Sequence, residues 1–482
     1  MKSICTIICF FLFYTSTLEG QQLISATLTG TSTKQQITAI FGLPFVRNGA
    51  KHYKVRYTSL DAKGNKDTLS GLMVVPDDLS FTYPRVVYQH GTSDCKTCVP
   101  SRLGGAGGDE GQIGLLIAGL GFVSILPDYV GMGDGRGFQT YVHEKTIVSA
   151  AVDMMEACKQ WASQNGLFTN EQIFITGYSQ GGYGSMALHK YFETKANTII
   201  TGAAHLSGPY SLSGVMRDLI LSDTEYFYPA YVPNTMLGFR EAYPNVFNNF
   251  GDFFKPEYVN DIREYYEGKI TLSTLNSRAI QLLKTNTGAS VGGRMIKDST
   301  FNMIKNNLNH PINQILREND LYNWVPKAPT KIYYCKADDQ VPFMNSIVAR
   351  DTMTAKGATN LEVRDLNSTA NHSGCVTPAL TQTVFFFLGL QRVTTSVKDA
   401  LVADLIKIFP NPANQRLTVS GLEGDVMIRI FNMNGMEVLN TSSNKQESID
   451  IDVTSLTQGM HILVLDSVNK NTKIFKLSKV DF

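Results

Sequence analysis

Residues 173–182 read Ile-Phe-Ile-Thr-Gly-Tyr-Ser-Gln-Gly-Gly, a strand pattern that runs directly into a helix pattern. The first four residues predict a buried strand, and the stretch from Gln180 to Phe192 has helical apolar spacing. The turn between them is so tight that side chains two before and two after Ser179 would clash, and both positions are glycine. We expect a strained backbone at Ser179 that lifts its hydroxyl above the edge of a sheet.

Strand and helix patterns alternate on both sides of this stretch. Further strand patterns lie at 53–76 (two, around a turn), 85–89, 122–126, 199–206, 331–335 and 361–365. Further helical patterns lie at 111–120, 144–163, 344–356 and 377–391. Strands that alternate with helices form a parallel sheet covered on both faces, so the predicted fold class is α/β.

A long helical stretch interrupts the alternation between His205 and Lys331, where no clear strand pattern occurs. Within it, residues 226–266 hold thirteen aromatic side chains. One interpretation is a well-packed helical subdomain. The other, compatible with it, is a helical cap over about residues 209–325 whose apolar face lines a substrate pocket. We favour the cap.

The pattern changes again near the C-terminus. Residues 393–402 are expected to be a linker, and residues 403–482 contain short alternating strand patterns separated by turns. The strand patterns lie at 416–419, 426–431, 437–439, 449–453, 461–465 and 473–477. This second domain is predicted to be an all-β sandwich.

A serine hydroxyl is a poor nucleophile until a base removes its proton. Enzymes that use this strand–turn–helix place an acid and then a histidine later in the chain. His372 is the expected base, in a loop before the last helix, because His461 falls in the all-β region; a surface loop histidine is the alternative. Asp338 is the expected acid, since it leads an Asp-x-x-Val-Pro stretch after a strand pattern. Asp339 is then a solvent-facing or turn-capping residue.

Two main-chain amides are candidates for an oxyanion hole. The Gln180 amide lies at the start of the helix that follows the serine. The Thr92 amide lies in the loop after the strand pattern at 85–89, where Gly91 permits an unusual backbone. His90 precedes the nucleophile in the chain and is expected to brace this loop.

Five cysteines lie beyond residue 20, so at least one thiol has no internal partner. Cys95 and Cys98 are expected to form a small loop disulfide; a redox pair and half of a metal site are alternatives. No second close-spaced pair of Cys or His follows, which argues against a metal. If the loops of the acid and the base are neighbours, Cys335 and Cys375 can form a second disulfide; two buried thiols are the alternative.

The charge balance excludes some classes of protein. The chain has 482 residues, with 43 Lys and Arg against 42 Asp and Glu, a net charge of +1 and 43% hydrophobic residues. This composition excludes a disordered protein and argues against nucleic acid as the main partner. No apolar run after residue 25 approaches the roughly 20 residues that span a bilayer, so no transmembrane segment is expected.

The N-terminus has the pattern of a secretory signal peptide over residues 1–20. Lys2 precedes an apolar run from Ile4 to Tyr14, and small and polar residues follow. A buried N-terminal helix is the alternative. The first domain is then expected over residues 21–392.

Five stretches carry a family resemblance. They are His-Gly-Thr at 90–92, Pro-Asp-Tyr-Val-Gly-Met-Gly at 127–133, Tyr-Val-His-Glu at 141–144, Gly-Tyr-Ser-Gln-Gly-Gly at 177–182 and Asp-Asp-Gln-Val-Pro at 338–342. Residues from about 50 to 390 resemble a secreted lipase/esterase family of the α/β-hydrolase superfamily. The chain departs from that family at Cys95-x-x-Cys98 and at residues 135–139, so the family's substrate preferences transfer poorly.

The tail resembles a second family. It contains Ile-Phe-Pro-Asn-Pro-Ala at 408–413, Ile-Phe-Asn-Met-Asn-Gly at 430–435 and Leu-Thr-Gln-Gly-Met at 456–460. These motifs are similar to the type A sorting domain of type IX secretion, which implies the type IX machinery as a partner and a place outside the cell or on its surface. A carbohydrate-binding sandwich is the alternative, but residues 403–482 contain no Trp or Tyr for an aromatic platform.

Together these patterns predict a secreted serine carboxylic ester hydrolase that needs no metal or organic cofactor and acts on a small-molecule or lipid ester. A cap-gated aminopeptidase of the same fold is one alternative; it would require an acidic group that holds the substrate amine. A non-catalytic hydrolase-like binding protein is a weaker one, because the chain keeps the serine, the acid and the histidine.

Overall fold

A mixed sheet of ten strands forms the centre of the first domain in a computed structural model, which describes residues 22–43, 45–104, 110–244, 246–395, 406–467 and 472–481. The strands are β1 Leu23–Ser32, β2 Ala50–Leu60, β3 Lys66–Pro76, β4 Phe81–Gln89, β5 Val123–Pro127, β6 Thr169–Tyr178, β7 Gly202–Leu206, β8 Thr330–Tyr334, β9 Leu361–Asp365 and β10 Thr394–Thr395. Their order is β1-β2-β3-β5-β4-β6-β7-β8-β9, and β10 pairs with β4. Neighbours from β5 to β9 in this order are parallel, as the alternation predicted, whereas β1, β2 and β3 pair antiparallel.

Helices cover both faces of this sheet. They are α1 Lys34–Phe41, α2 Gly111–Gly119, α3 Glu144–Gln164, α4 Gln180–Thr194, α5 Arg217–Ile220, α6 Tyr231–Ala242, α7 Phe250–Phe253, α8 Pro256–Tyr266, α9 Leu272–Thr287, α10 Asp298–Asn306, α11 Pro311–Glu318, α12 Met344–Ala355 and α13 His372–Leu390. Adjacent residues of β6 point to opposite faces: Phe174 packs against Phe387 of α13, and Ile175 lies in the apolar cluster that contains Tyr183 of α4. The predicted α/β class is confirmed, with helices α5 to α11 inserted between β7 and β8.

The second domain consists of two antiparallel sheets. The three-stranded sheet contains β11 Lys407–Phe409, β12 Arg416–Ser420 and β15 Ser448–Asp452. The four-stranded sheet contains β13 Val426–Asn432, β14 Glu437–Ser442, β16 Gly459–Ser467 and β17 Thr472–Lys479. Alternate apolar residues of both sheets, among them Leu417, Ile430 and Leu463, form one buried cluster. The predicted β-sandwich is confirmed.

The predicted signal peptide (1–20) and most of the predicted linker (393–402) fall outside the described residues.

Helix α13 is the one helix, among the described residues, that is long and apolar enough to cross a membrane by length and composition alone. A core helix of a globular domain passes the same test. The contact of Phe387 with Phe174 places this helix against the central sheet, which accounts for its apolar composition.

Candidate active site

Ser179 lies at the turn from β6 to α4 with φ 60° and ψ −119°, a region that residues other than glycine rarely adopt. The main-chain amide of Ser179 donates to the carbonyl of Leu206 on the neighbouring strand, at 2.9 Å. A Cβ at Gly177 would lie 2.4 Å from the Gln89 carbonyl oxygen, and one at Gly181 would lie 1.9 Å from it. Only glycine fits at either position, and the close approach of β4 explains why the motif has this form.

Helix α4 begins at Gln180, immediately after the serine. The first amides of a helix have no partner within the helix and carry a partial positive charge. The amide of Gln180 therefore lies at the positive end of α4, next to Ser179.

His372 and Asp338 lie in contact. The imidazole Nδ1 of His372 is 2.7 Å from Oδ2 of Asp338, and the Asp338 side chain is 1% exposed. The other carboxylate oxygen of Asp338 accepts the amides of Gln340 and Val341, at 3.0 and 2.8 Å. These bonds fix the carboxylate so that it can orient the imidazole ring. His372 is the first residue of α13 rather than a loop residue, because the Asn371 side chain caps that helix.

Asp339 also contacts His372, but through the main chain. Its Oδ1 accepts the amide of His372, at 3.1 Å, at the N-terminus of α13. A carboxylate at a helix N-terminus is favourable because it meets the positive end of the helix dipole. The two adjacent aspartates thus contact different groups of His372: Asp338 contacts the imidazole ring, and Asp339 accepts the main-chain amide.

A disulfide between Cys335 and Cys375, with a Cα separation of 5.9 Å, joins the end of β8 to α13. Cys335 lies three residues before Asp338, and Cys375 lies three residues after His372. This bond therefore connects the two segments that carry the acid and the base.

A second disulfide joins Cys95 and Cys98 in the loop after β4, and Cys158 is a buried free thiol. Among the described residues, no group of three or more His, Cys, Asp or Glu side chains could hold a metal ion. The bond between Cys95 and Cys98 is consistent with both a loop disulfide and an oxidised redox pair.

The loop after β4 is held by Glu110, which the sequence analysis missed. Both oxygens of the Glu110 carboxylate accept the Gly91 amide, at 3.0 and 2.8 Å. The next amide along the chain is that of Thr92, the candidate second oxyanion donor. The Thr92 hydroxyl lies 2.9 Å from the hydroxyl of Tyr141. Glu110 lies just outside a predicted helix in a glycine-rich stretch, and no local pattern indicates its long-range contact.

His90 contacts the main chain of this loop and of the segment after β5. Its ring nitrogens lie 2.8 Å from the Gly91 carbonyl and 3.3 Å from the Asp128 carbonyl. The ring stacks on Tyr129, with centroids 4.0 Å apart, and burial lowers the pKa of His90. Asp128 and Tyr129 belong to the Pro-Asp-Tyr stretch, which shapes this edge of the sheet.

The inserted helices cover a cavity beside Ser179. The cavity encloses about 850 Å³, part of it open to solvent. Apart from Ser179, Thr235 and Arg217, its lining consists of apolar side chains and tyrosines, including Leu212, Met216, Met236, Phe253, Ile304 and Leu316. The inserted segment thus supplies most of the wall of the cavity that Ser179 opens into.

Hydrogen bonds tie the inserted helices to both loops of the site. The hydroxyls of Tyr226 and Tyr231 donate to the carbonyl and the side-chain oxygen of Gln340, at 2.7 and 2.8 Å. Gln340 follows the acid by two residues. On the other side, the Asp94 carboxylate accepts the amide of Ser273 at the start of α9, at 2.7 Å. The cap is therefore fixed to the acid loop and to the loop of Thr92.

A buried histidine pair lies outside the cavity lining. Nδ1 of His189 is 3.2 Å from Nε2 of His205, whose Nδ1 is 2.7 Å from the Ser185 hydroxyl. Both histidines are fully buried, and burial lowers the pKa of each. This pair joins α4 to β7 beneath the turn at Ser179 and has a structural role.

The central sheet, the strained serine between strand and helix, and the inserted cap define a hydrolase of the α/β-hydrolase class. Residues 113–383, more than half of the chain, match the family model described as secretory lipase, and the chain belongs to that family. Residues 407–478 match the secretion system C-terminal sorting domain. The protein is thus a hydrolase of the lipase and esterase type that is exported to the cell surface or the medium.

Solved structures share the fold at low sequence identity. An esterase from Xanthomonas oryzae, LipA, described as degrading rice cell walls, is 20% identical, covers 77% of this chain and 97% of its own, and has a TM-score of 0.65. A hydrolase from Legionella pneumophila is 20% identical, covers 79% of this chain and 100% of its own, and has a TM-score of 0.68. Lipase A from Candida antarctica is 16% identical, covers 78% of this chain and 84% of its own, and has a TM-score of 0.57. No curated protein matches the chain in sequence.

Proposed function

We propose that the protein is a secreted serine carboxylic ester hydrolase that acts through an acyl-enzyme on Ser179. The contact that carries this proposal is the 2.7 Å approach of the His372 ring to the buried Asp338 carboxylate. A histidine held in this way at the site of a strained serine serves as a general base.

In the proposed reaction, the Ser179 hydroxyl attacks the ester carbonyl while His372 takes its proton. The Gln180 and Thr92 amides stabilise the oxyanion of the tetrahedral intermediate. His372 then returns the proton to the departing alcohol, and the acyl group stays on Ser179. A water molecule, deprotonated by His372, attacks the acyl-enzyme; His372 then returns that proton to Ser179 as the carboxylic acid is released. Asp338 accepts a hydrogen bond from Nδ1–H of His372 and stabilises the imidazolium without taking the proton.

The lining of the cavity favours an apolar acyl group. A cavity of this size with few polar groups stabilises a ligand mainly by excluding apolar surface from water. An aminopeptidase would need a carboxylate for the substrate amine, and among the residues that the structure describes, no Asp or Glu lines the cavity. The ester hydrolase is therefore the better-supported function.

The test is a panel of p-nitrophenyl esters from acetate to palmitate, assayed beside aminoacyl-nitroanilides. We expect turnover of the esters, with a preference for acyl chains longer than acetate, and labelling of Ser179 by a fluorophosphonate probe. Faster cleavage of the nitroanilides would favour the peptidase. Absence of both turnover and labelling in folded protein would favour a binding protein.

A further inference from the structure

One sheet of the C-terminal sandwich buries apolar side chains on both of its faces. In β13 and β16, Ile430 and Leu463 face the sandwich core. The neighbouring residues Phe431 and Ile462 point to the outer face, which in a sandwich standing alone is in contact with water. Both are only 2% exposed, and Val464 on the same face is 0% exposed. Something other than the sandwich therefore covers this face.

The first domain covers it. The ring of Phe431 meets Phe45 edge-on at 5.6 Å between centroids, and Phe45 lies 5.8 Å from Phe385 of α13. Phe431, Ile462 and Val464 belong to the same apolar cluster as these two rings.

A polar contact and a turn complete the interface. The side-chain amide of Gln382 on α13 donates to the Met433 carbonyl, at 2.6 Å. Gly435, in the turn between β13 and β14, approaches so closely that a Cβ there would be 3.7 Å from the Phe385 ring and 3.8 Å from Thr381. The turn between β13 and β14 thus contacts α13 at two points, while Phe431 of β13 packs against Phe45.

We propose that the sorting domain is docked on the hydrolase domain through this face and remains bound when the linker is cut. Apolar side chains that are buried on both sides give such an interface its free energy, and separation would expose them on both domains. Helix α13 begins at His372, so the docked tail also braces the helix that carries the proposed base.

The experiment uses the full chain with a specific protease site placed between Thr395 and Ile406. After complete cleavage, we expect the two fragments to elute together in size-exclusion chromatography at micromolar concentration. Phe431→Asp should separate them, because a buried charge in the interface weakens binding by about 100-fold or more. Thr381→Arg, on the hydrolase side and outside both cores, should separate them as well.

Met427→Asp is the matched control, since Met427 lies on the same face of the same strand but is 48% exposed. Its fragments should stay together. Separation of the unsubstituted fragments would overturn the proposal without any question of variant folding. The proposal would also be overturned if the Met427→Asp fragments separated. It would equally be overturned if the fragments of both Phe431→Asp and Thr381→Arg still eluted together. None of these outcomes depends on ester hydrolysis, so failure of the docking proposal would leave the proposed function untouched, and the reverse also holds.

Discussion

The hydroxyl of Tyr178 donates a 2.6 Å hydrogen bond to the main-chain carbonyl of His372. Tyr178 directly precedes Ser179, so this bond joins the serine turn to the first residue of α13 across 194 positions of sequence. Burial raises the pKa of the Tyr178 hydroxyl, which keeps it a donor at neutral pH. The same ring lies 5.0 Å from the imidazole of His372. Tyr178 is therefore a positioning residue between the proposed nucleophile and its base.

Tyr178→Phe should lower kcat by about 10-fold with little change in KM, because the base loses its alignment while the cavity is unaltered. Tyr183→Phe is the control: it removes a buried hydroxyl that also donates to a carbonyl, that of Asn319, at 2.9 Å. Both variants should lose similar stability in urea unfolding. Equal losses of kcat in the two would show that Tyr178 acts only through the fold.

Ser179→Ala should abolish ester cleavage and leave the fold intact, since the hydroxyl carries the covalent step. Loss of a member of such a triad commonly costs about 10⁴-fold or more in rate. Ser185→Ala removes a hydroxyl from the same helix at a position outside the cavity lining, and it should retain turnover. Wild-type turnover by Ser179→Ala would refute the assignment.

Asp338→Asn should lower kcat by about 10⁴-fold, because an amide in place of the carboxylate favours the wrong imidazole tautomer. Asp339→Asn should stay within a few-fold of wild type, since the amide oxygen can still accept the His372 amide. The two rates, measured on one ester at pH 7, separate the roles. A larger loss of kcat in Asp339→Asn than in Asp338→Asn would assign the role of the acid to Asp339.

The steric clash at Gly177 and Gly181 comes largely from the Gln89 carbonyl of β4, which is distant in the sequence. Local patterns were nevertheless sufficient to predict the serine turn and strands β2 to β9, although they missed β1 and α1. They also indicated Asp338 and His372, through the order in which acid and histidine follow the serine. The contacts of Glu110 with Gly91 and of Tyr178 with the base segment were missed, since each joins loops that only the folded sheet brings together.

The sequence of β16 contains a pattern that indicates burial on both faces of the tail's four-stranded sheet. Residues 462–465 read Ile-Leu-Val-Leu, a continuous apolar run, whereas a strand with one face in water alternates. That run indicates burial on both faces. It does not say which partner covers the second face, because the complementary surface around Phe45 and Phe385 lies in another domain.

Removal of the Cys335–Cys375 disulfide by a double Cys→Ala substitution should lower the free energy of unfolding by about 4 kcal/mol, because the bond closes a loop of 40 residues. Loss of Cys95–Cys98, which are three positions apart, should cost only about 1.5 kcal/mol on the same basis. Urea unfolding of both variants at pH 7 gives the comparison. Equal losses would mean that loop closure does not determine the effect.

Buried histidines make the stability of the fold dependent on pH. Burial lowers the pKa of His90, His189 and His205, and it lowers the pKa of His143 to about 4. Each of these rings binds a proton near pH 6.5 in the unfolded chain and at a lower pH in the fold. The unfolded state therefore takes up more protons as the pH falls, and stability must decrease in that direction.

Between pH 7 and pH 5.5, above the ordinary range of carboxyl groups, we expect the free energy of unfolding to fall, and His143, whose pKa is lowered to about 4, should account for about 1 kcal/mol of that decrease. Urea unfolding at half-unit steps of pH measures the slope. His143→Gln is the informative variant, because glutamine can keep a contact with Thr146, 2.9 Å from Nδ1, and does not titrate. It should reduce the decrease between pH 7 and pH 5.5 by about 1 kcal/mol while leaving stability at pH 7 nearly unchanged. An equal decrease in the wild type and in His143→Gln would mean that the His143 ring is protonated in the fold.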